Sequence, residues 1–279
     1  MNETTRLTRL NTINRARRGV TLLPKFSHIS PPIRYTPIKN NSNRFNYEIF
    51  AYCSQNYEDA YNFVIDSWTK PENVIKVTIY TDWPLQSQNS KIIIKPIFEK
   101  NNSWIIGTGR RLDVIKQFSE ENKNTPKNVL FLDIDCYLVS DVSELFSYPF
   151  DIAISRLYSR SQYTNLTATA GLWFTRLSPG YFNFINEWFK LAEIYKNRKL
   201  GIQDHRISYV QYSFTKIAKM KNANYTVFPI DEKVYNSEHS DINMWYNMIR
   251  QFHPKILHFK GRSFRDKKIT TTALSLAKG

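Results

Sequence analysis

The stretch VLFLDIDCYLVSD, residues 129–141, decides the fold of this chain. It opens with a continuous apolar run and places Asp133 and Asp135 two positions apart where that run ends. An uninterrupted apolar run is typical of a parallel strand covered on both faces. Residues two apart on a strand point to the same side, and carboxylates in apolar surroundings need a positive partner. The stretch therefore predicts a central strand that presents two carboxylates to a cation.

Strand-like and helix-like segments alternate along the chain around this stretch. Apolar and β-branched runs predict strands, and apolar residues at helical spacing predict helices between them. This alternation is typical of βαβ units, so we expect one α/β domain over residues 46–279 with a mixed, mostly parallel central sheet flanked by helices. The predicted strands are 47–53, 74–82, 91–98, 128–133, 171–175 and 255–259, and the predicted helices are 55–69, 104–118, 180–195 and 203–220.

The charge of the chain is concentrated at its N-terminus. Of a formal net charge of +15, residues 1–45 contribute +8, from nine basic side chains against Glu3 alone. These residues include Pro31 and Pro32 and show neither a helical nor a strand period, which predicts an irregular basic N-terminal arm. The 42% hydrophobic content of the whole chain indicates that the remainder builds a real core.

The two cysteines, Cys53 and Cys136, both lie in apolar runs and are expected to be buried thiols. So few cysteines do not indicate a disulfide framework. No stretch approaches the roughly 20 apolar residues that a membrane helix needs. The N-terminal residues also lack the apolar centre of a secretory signal, so we expect a cytoplasmic location.

Oxygen ligands of this kind suit Mg²⁺ or Mn²⁺, and an added imidazole favours Mn²⁺. In this context the D-x-D after an apolar strand, followed by YLVSDVSELF, resembles the nucleotide-sugar-dependent glycosyltransferases of the GT-A fold. The resemblance is greatest to the retaining group that includes glycogenin and the lipopolysaccharide galactosyltransferases, and it spans about residues 47–270. It implies a single Rossmann-like GT-A domain that transfers a sugar from a nucleoside-diphosphate donor, with UDP as the expected carrier, to an acceptor hydroxyl with retention.

The resemblance also implies donor-binding residues along the first half of the domain. YEIFAYCSQNY (47–57) resembles the strand and loop that hold the nucleoside, and GRRLDVIKQF (109–118) resembles a helix whose basic residue contacts the donor. GLWFT (171–175) resembles the G-x-x-x-N strand beside the sugar, with Thr175 in place of asparagine. The implied donor contacts are Tyr52, Cys53, Ser54, Asp82, Arg111 with Arg110 in reserve, and Gly171.

Two later motifs complete the implied site. GIQDHRI (201–207) resembles the D-Q-D segment near the anomeric carbon, which implies a catalytic role for Gln203 and Asp204, although Ile202 replaces the first acid. HFKG (258–261) matches H-x-x-G-x-x-K at His258 and Gly261. The resemblance thus implies Asp133, Asp135 and His258 as metal ligands. Because Phe264 replaces the final lysine, Lys260 or Arg262 is expected to meet the phosphates, beside Gly261.

Local patterns add two structural expectations. Asp141 and Glu144 have the spacing of a capping box, which predicts that Asp141 caps a short helix. Trp83 and Trp245 lie in segments that read as loops, where an indole can serve as a platform for a sugar ring.

Other functions stay open at this point. Haloacid-dehalogenase-like phosphatases also use D-x-D after an apolar strand, with the first aspartate as nucleophile, but they carry it on their first strand. The basic arm alternatively suggests a non-catalytic protein that binds nucleic acid or an anionic surface, although no nucleic-acid motif accompanies the charge. The sequence identifies neither the sugar nor the acceptor, which can be a glycan, a lipid or a protein, and it does not predict the oligomeric state.

Overall fold

The computed structural model describes residues 45–97, 104–157, 167–197, 209–220, 223–238, 242–259 and 265–278. Residues 1–44 of the predicted arm lie outside these ranges, as do Gln203, Asp204, Lys260 and Gly261. The described strands are β1 (Tyr47–Cys53), β2 (Val74–Thr81), β3 (Ile92–Pro96), β4 (Asn128–Leu132), β5 (Cys136–Leu138), β6 (Ile152–Leu157), β7 (Thr167–Arg176), β8 (Val227–Ile230), β9 (Ser237–Glu238) and β10 (Ile256–His258).

Seven helices are described in addition to these strands. They are α1 (Glu58–Thr69), α2 (Trp104–Glu121), α3 (Pro179–Asn197), α4 (Tyr209–Ala218), α5 (Glu232–Tyr235), α6 (Ile242–Phe252) and α7 (Lys267–Lys278). Short 3-10 turns at Gln55–Tyr57 and Ser143–Ser147 follow β1 and β5. In none of these helices is there an apolar span long enough to cross a bilayer.

The central sheet has the strand order β3-β2-β1-β4-β7-β6-β8. Within the described residues, β7 alone runs against the other strands, since it pairs antiparallel with both β4 and β6 while the remaining pairs are parallel. The mixed, mostly parallel sheet predicted from the sequence is therefore confirmed. This single reversed strand lies between β4 and β6 and brings Gly171 next to Asp133.

The two faces of the sheet bury alternate residues of the same strands. Leu130 and Leu132 of β4 pack on one face of the central sheet together with Trp68 of α1. Strand β10 and helices α6 and α7 pack on the same face. Val129 and Phe131 point to the opposite face, where α2, α3 and α4 pack. Both faces are covered, as the continuous apolar character of residues 129–132 predicts. The molecule is thus a three-layered helix–sheet–helix arrangement.

A second, three-stranded sheet with the order β5-β10-β9 lies beside the end of β4. Strand β10 pairs antiparallel with β5 and parallel with β9. The indole of Trp68 donates to the carbonyl oxygen of Cys136 at 2.8 Å, and Ser67 Oγ accepts from the backbone of Leu138 at 3.1 Å. Helix α1 therefore holds β5 in place, directly after the D-x-D.

Two local expectations are wrong. Asp141 does not cap the turn at Ser143–Ser147, whose N-cap position is Val142. Its carboxylate instead accepts from Ser143 Oγ and, at 2.9 Å, from Asn73 Nδ2, which fastens the loop to the start of β2. Trp245 belongs to α6 and is fully buried against Phe259, so it is a core residue rather than a loop platform.

Candidate functional site

The strand order places the sequence-predicted residues at one edge of the central sheet. Chain order reverses at β1, which lies between β2 and β4. In open α/β sheets, ligands bind outside the carboxyl ends of the strands at such a switch point. Strand β1 ends at Cys53, Asp82 follows β2, and Asp133 follows β4. The three predicted donor-binding segments therefore meet at the same edge of the sheet.

The second sheet supplies the imidazole. In the antiparallel pairing of β10 with β5, His258 lies directly opposite Cys136. The backbone of Phe259 donates to the carbonyl oxygen of Asp135 at 2.9 Å, and the backbone of Cys136 donates to that of Asp133 at 3.1 Å. These bonds fix the turn between β4 and β5, so the D-x-D and His258 are held by backbone on both sides.

His258 Nε2 faces both aspartates. It lies 3.2 Å from Asp135 Oδ1 and 4.0 Å from Asp133 Oδ2. His258 is 1% exposed and Asp135 8% exposed, whereas the carboxylate of Asp133 is about one-third exposed. The cluster is thus a buried imidazole and carboxylate with a second carboxylate that reaches toward solvent.

Asn236 orients the imidazole from the other side. Its Oδ1 lies 2.8 Å from His258 Nδ1, and because a carboxamide oxygen only accepts, Nδ1 carries a hydrogen. Asn236 is fully buried, and its Nδ2 has no hydrogen-bond partner. A hydrogen bond of this kind fixes the ring orientation of a metal-binding histidine and directs its other nitrogen at the metal. Here that nitrogen points to the aspartates.

The electrostatics of the cluster favour a positive group. Burial acts to lower the pKa of His258, but Cys136 and Asp135 outweigh it and hold the pKa of His258 well above its usual value. Burial raises the pKa of the Cys136 thiol to about 11, with the neighbouring His258 acting against that rise. A proton on His258 and a divalent cation are alternative ways to balance these carboxylates.

Arg111 and Gly171 set the position of Asp133. A guanidinium nitrogen of Arg111 forms an ion pair with Asp133 Oδ1. The backbone of Asp133 donates to the carbonyl oxygen of Gly171 at 2.7 Å. A Cβ placed on Gly171 would lie 2.2 Å from Asp133 Oδ2, so glycine here leaves the room that the carboxylate occupies.

The donor atoms of the cluster fit a divalent cation. Asp133 and Asp135 offer oxygens and His258 offers Nε2, a set that suits Mn²⁺ in particular. Asp135, Cys136 and His258 also present ligand atoms that all lie within 4.8 Å of one another. Cys136 and Asn236 are functional candidates that the sequence motifs do not identify, because only the pairing of β5, β9 and β10 brings them here.

A second group of polar contacts at this edge of the sheet is ordered around Asp82. Its Oδ1 accepts from the backbone of Gln55 at 2.9 Å and its Oδ2 lies 3.5 Å from Tyr52 Oη. Ser54 precedes this turn, and Cys53 is fully buried with its thiol against the carbonyl oxygens of Ser54 and Tyr57. Burial raises the pKa of Tyr57, with Asp135 and Asp133 adding to the effect. The charges of Asp135 and Asp133 thus reach Tyr57, a residue that the sequence motifs do not single out.

Thr175 does not lie at the site. It pairs with Val129, at the opposite end of β4 from Asp133, and its hydroxyl donates to the carbonyl oxygen of Asp151 at 2.7 Å. Of the G-x-x-x-N resemblance, only Gly171 is thus placed beside the aspartates.

No protein-family model matches the sequence, and no curated protein matches it. The fold resembles that of the galactosyltransferase LgtC, solved with donor and acceptor sugar analogues, at a TM-score of 0.50 and 13% identity over 82% of this chain and 95% of LgtC. It also resembles the glycosyltransferase GlyE of Streptococcus pneumoniae TIGR4, with a TM-score of 0.55 and 12% identity, covering 84% of this chain and 62% of GlyE.

A third similar structure is the bifunctional glycosyltransferase WbbM in its apo form, with a TM-score of 0.51 and 11% identity over 80% of this chain. The chain spans 47% of WbbM and under two thirds of GlyE, so it corresponds to a part of each. Identity this low shows the fold alone, and the chain has the fold of these glycosyltransferase structures, as its resemblance to the GT-A group predicts.

Proposed function

We propose that this protein is a metal-dependent glycosyltransferase that moves a sugar from a nucleoside-diphosphate donor, with UDP as carrier, to an acceptor hydroxyl with retention. The observation that carries the proposal is the convergence of Asp133, Asp135 and the buried His258 at the carboxyl ends of the strands. Its support from comparison is that the similar structures are glycosyltransferases.

In this proposal Asp133, Asp135 and His258 hold a Mn²⁺ or Mg²⁺ ion. Glycosyl transfer leaves a nucleoside diphosphate, so negative charge grows on the leaving oxygen in the transition state. A divalent cation supplies Lewis-acid stabilisation of such charge. Asn236 keeps His258 Nε2 directed at the aspartates, and the rigid turn at residues 133–136 keeps both carboxylates in place.

Further residues bind the donor in this proposal. Tyr52, Cys53, Ser54 and Asp82 border the nucleoside, and Arg111 contacts the donor, a role that its ion pair with Asp133 supports. The residues that we carry over from the sequence motifs alone are Gly171 beside the sugar, Lys260 and Gly261 at the phosphates, and Gln203 and Asp204 on the face of the sugar opposite the leaving group.

The test is release of UDP from a panel of UDP-sugars, with and without Mn²⁺. We expect metal-dependent release by the wild-type protein and none by Asp135→Asn. Asp66→Asn, which removes an exposed carboxylate from α1, is the matched control and should keep the wild-type rate. Wild-type turnover by folded Asp135→Asn would overturn the proposal.

Two further assays separate the competing functions. Burst release of phosphate from a generic phosphoester would instead favour the phosphatase reading, although here the D-x-D follows the fourth strand rather than the first. Binding of nucleic acid that disappears between low and moderate salt would show only non-specific attraction to the basic residues.

A further inference from the structure

We infer that Asp135, Cys136 and His258 form a thiol-containing cation site that binds Zn²⁺, Cd²⁺ or Co²⁺ through the sulfur of Cys136. Two of these three residues are shared with the hard-metal set of the proposed function, so a softer ion would compete with Mn²⁺ for them. The binding itself is independent of that function, whereas its effect on catalysis rests on it.

Strand pairing brings the three residues together. Cys136 opens β5 and lies opposite His258 of β10, and Asp135 immediately precedes it. All three are buried, and their ligand atoms lie within 4.8 Å of one another. His258 Nε2 and Asp135 Oδ1 lie 3.2 Å apart.

These separations suit a small tetrahedral ion. With bonds of about 2.0 to 2.3 Å to nitrogen, oxygen and sulfur, neighbouring ligand atoms around Zn²⁺ lie about 3.3 to 3.8 Å apart. The 3.2 Å pair is already close to that separation, and since no pair in the cluster exceeds 4.8 Å, the other ligand atoms need to move inward by at most about 1 to 1.5 Å. Rotation of the side chains supplies movements of this size without rebuilding the strands.

The chemistry of the donor set selects the ion. Thiolate sulfur is a soft ligand that suits Zn²⁺ and similar ions, whereas Mg²⁺ and Mn²⁺ prefer oxygen. On binding, the Cys136 thiol exchanges its proton for the metal–sulfur bond, and His258 gives up the proton on Nε2 for the metal–nitrogen bond, so both protons are released to solvent. Asp133 Oδ2, 4.0 Å from His258 Nε2, lies within reach as a fourth ligand.

Competition follows from the shared residues. An ion held by Cys136 occupies Asp135 and His258, so at most Asp133 of the hard-metal set stays available to Mn²⁺. We therefore expect Zn²⁺ and Cd²⁺ to inhibit sugar transfer in competition with Mn²⁺, which would give this protein a regulatory or toxic response to soft metals.

The test uses the full chain without nucleotide, titrated with Co²⁺ and Cd²⁺ and followed by the ultraviolet charge-transfer band of a thiolate–metal bond. The band is expected in the wild-type protein and in Cys53→Ser, and it should be lost in Cys136→Ser. Circular dichroism reports whether Cys136→Ser, altered at a fully buried position, still folds. If it does not, X-ray absorption of Zn²⁺-loaded Cys53→Ser should still show one sulfur neighbour at about 2.3 Å.

The outcomes separate the two proposals. No charge-transfer band in the wild type, or a band that is lost only in Cys53→Ser, would overturn the thiol site. Mn²⁺-dependent UDP release without a band would leave the proposed function standing and reject this inference. A charge-transfer band without any nucleotide-sugar turnover would support the thiol site and reject the proposed function.

Discussion

Asn236 is the residue on which the geometry of the imidazole depends. It is fully buried, its Oδ1 lies 2.8 Å from His258 Nδ1, and this hydrogen bond sets which nitrogen faces the aspartates. Partners of this kind typically change metal affinity 10- to 100-fold when they are removed. We expect Asn236→Ala to weaken Mn²⁺ binding by about that factor, measured by titration followed by electron paramagnetic resonance.

Asn236→Asp is the matched control, because it keeps an acceptor oxygen at the same position. Asn236→Asp should bind Mn²⁺ with an affinity within a few-fold of the wild type, in contrast to Asn236→Ala. Equal affinity in the alanine variant and the wild type would show that Asn236 has only a packing role.

The lack of a side chain at Gly171 gives a second prediction about Mn²⁺ binding. Its substitution by alanine places a methyl group 2.2 Å from Asp133 Oδ2, and the carboxylate must turn away because it is the movable partner. We expect Gly171→Ala to lower Mn²⁺ affinity while the melting temperature changes little.

Gly180→Ala is the comparison variant, since its Cβ would meet the carboxylate of Asp151 at 2.3 Å, remote from the aspartates of the site. Asp151 accepts from Ser178 Oγ and from the backbone of Thr226, so this variant should lose stability and keep its Mn²⁺ affinity. The opposite pattern, with metal binding lost only in Gly180→Ala, would refute the role assigned to Gly171.

The sequence predicts the acidic part of the site well and its surroundings poorly. Asp133, Asp135 and His258 carry recognisable motifs, and they lie together in the structure. Cys136 reads only as a buried thiol, and Asn236 carries no motif. Their place at the site depends on the register of the three strands of the second sheet, which no local pattern encodes.

At the scale of elements, helix α2 is tied to the edge strand β3 by charge. Glu121 at the end of α2 pairs with Lys95 of β3 and accepts from Tyr80 Oη at 2.9 Å. Burial acts to raise the pKa of Glu121, but Lys95, with Gln117 and Tyr80, holds it below its usual value.

A group whose pKa is lower in the folded than in the unfolded protein stabilises the fold at pH values above its unfolded-state pKa. This contribution is lost as the pH falls through the folded-state pKa. We expect Lys95→Met to flatten the pH dependence of unfolding below about pH 4.3. Because both side chains are about one-third exposed, the effect should stay within about 1 kcal/mol. Urea unfolding at several pH values measures it, and an unchanged acid slope would contradict the assignment.

The elements that the sequence predicts are those with strong periodicity. Strands β1, β2 and β4 and the helices between them are confirmed, because long apolar runs and helical spacing leave little choice. Strands β5, β9 and β10 have only two or three residues each, too few for a two-residue period to be seen. The sequence predicts β10 as residues 255–259 but gives no sign that it belongs to a separate sheet.

At the scale of the whole molecule, the proposed function depends on one edge of one sheet. The switch point beside β1, the D-x-D after β4 and the imidazole from the second sheet all meet there. The fold is shared with glycosyltransferase structures at 11–13% identity, so topology persists where little sequence does.

The most direct test of the donor site is thermal unfolding of the wild-type protein and Asp135→Asn with UDP, GDP and CDP, each with and without Mn²⁺. A ligand at about a hundred times its dissociation constant stabilises the fold by roughly 2.7 kcal/mol, which raises the melting temperature by several degrees. We expect UDP to produce this rise only with Mn²⁺ present, and Asp135→Asn to lose it. An unchanged melting temperature with every nucleotide, or a full rise that persists in Asp135→Asn, would contradict the proposed donor site.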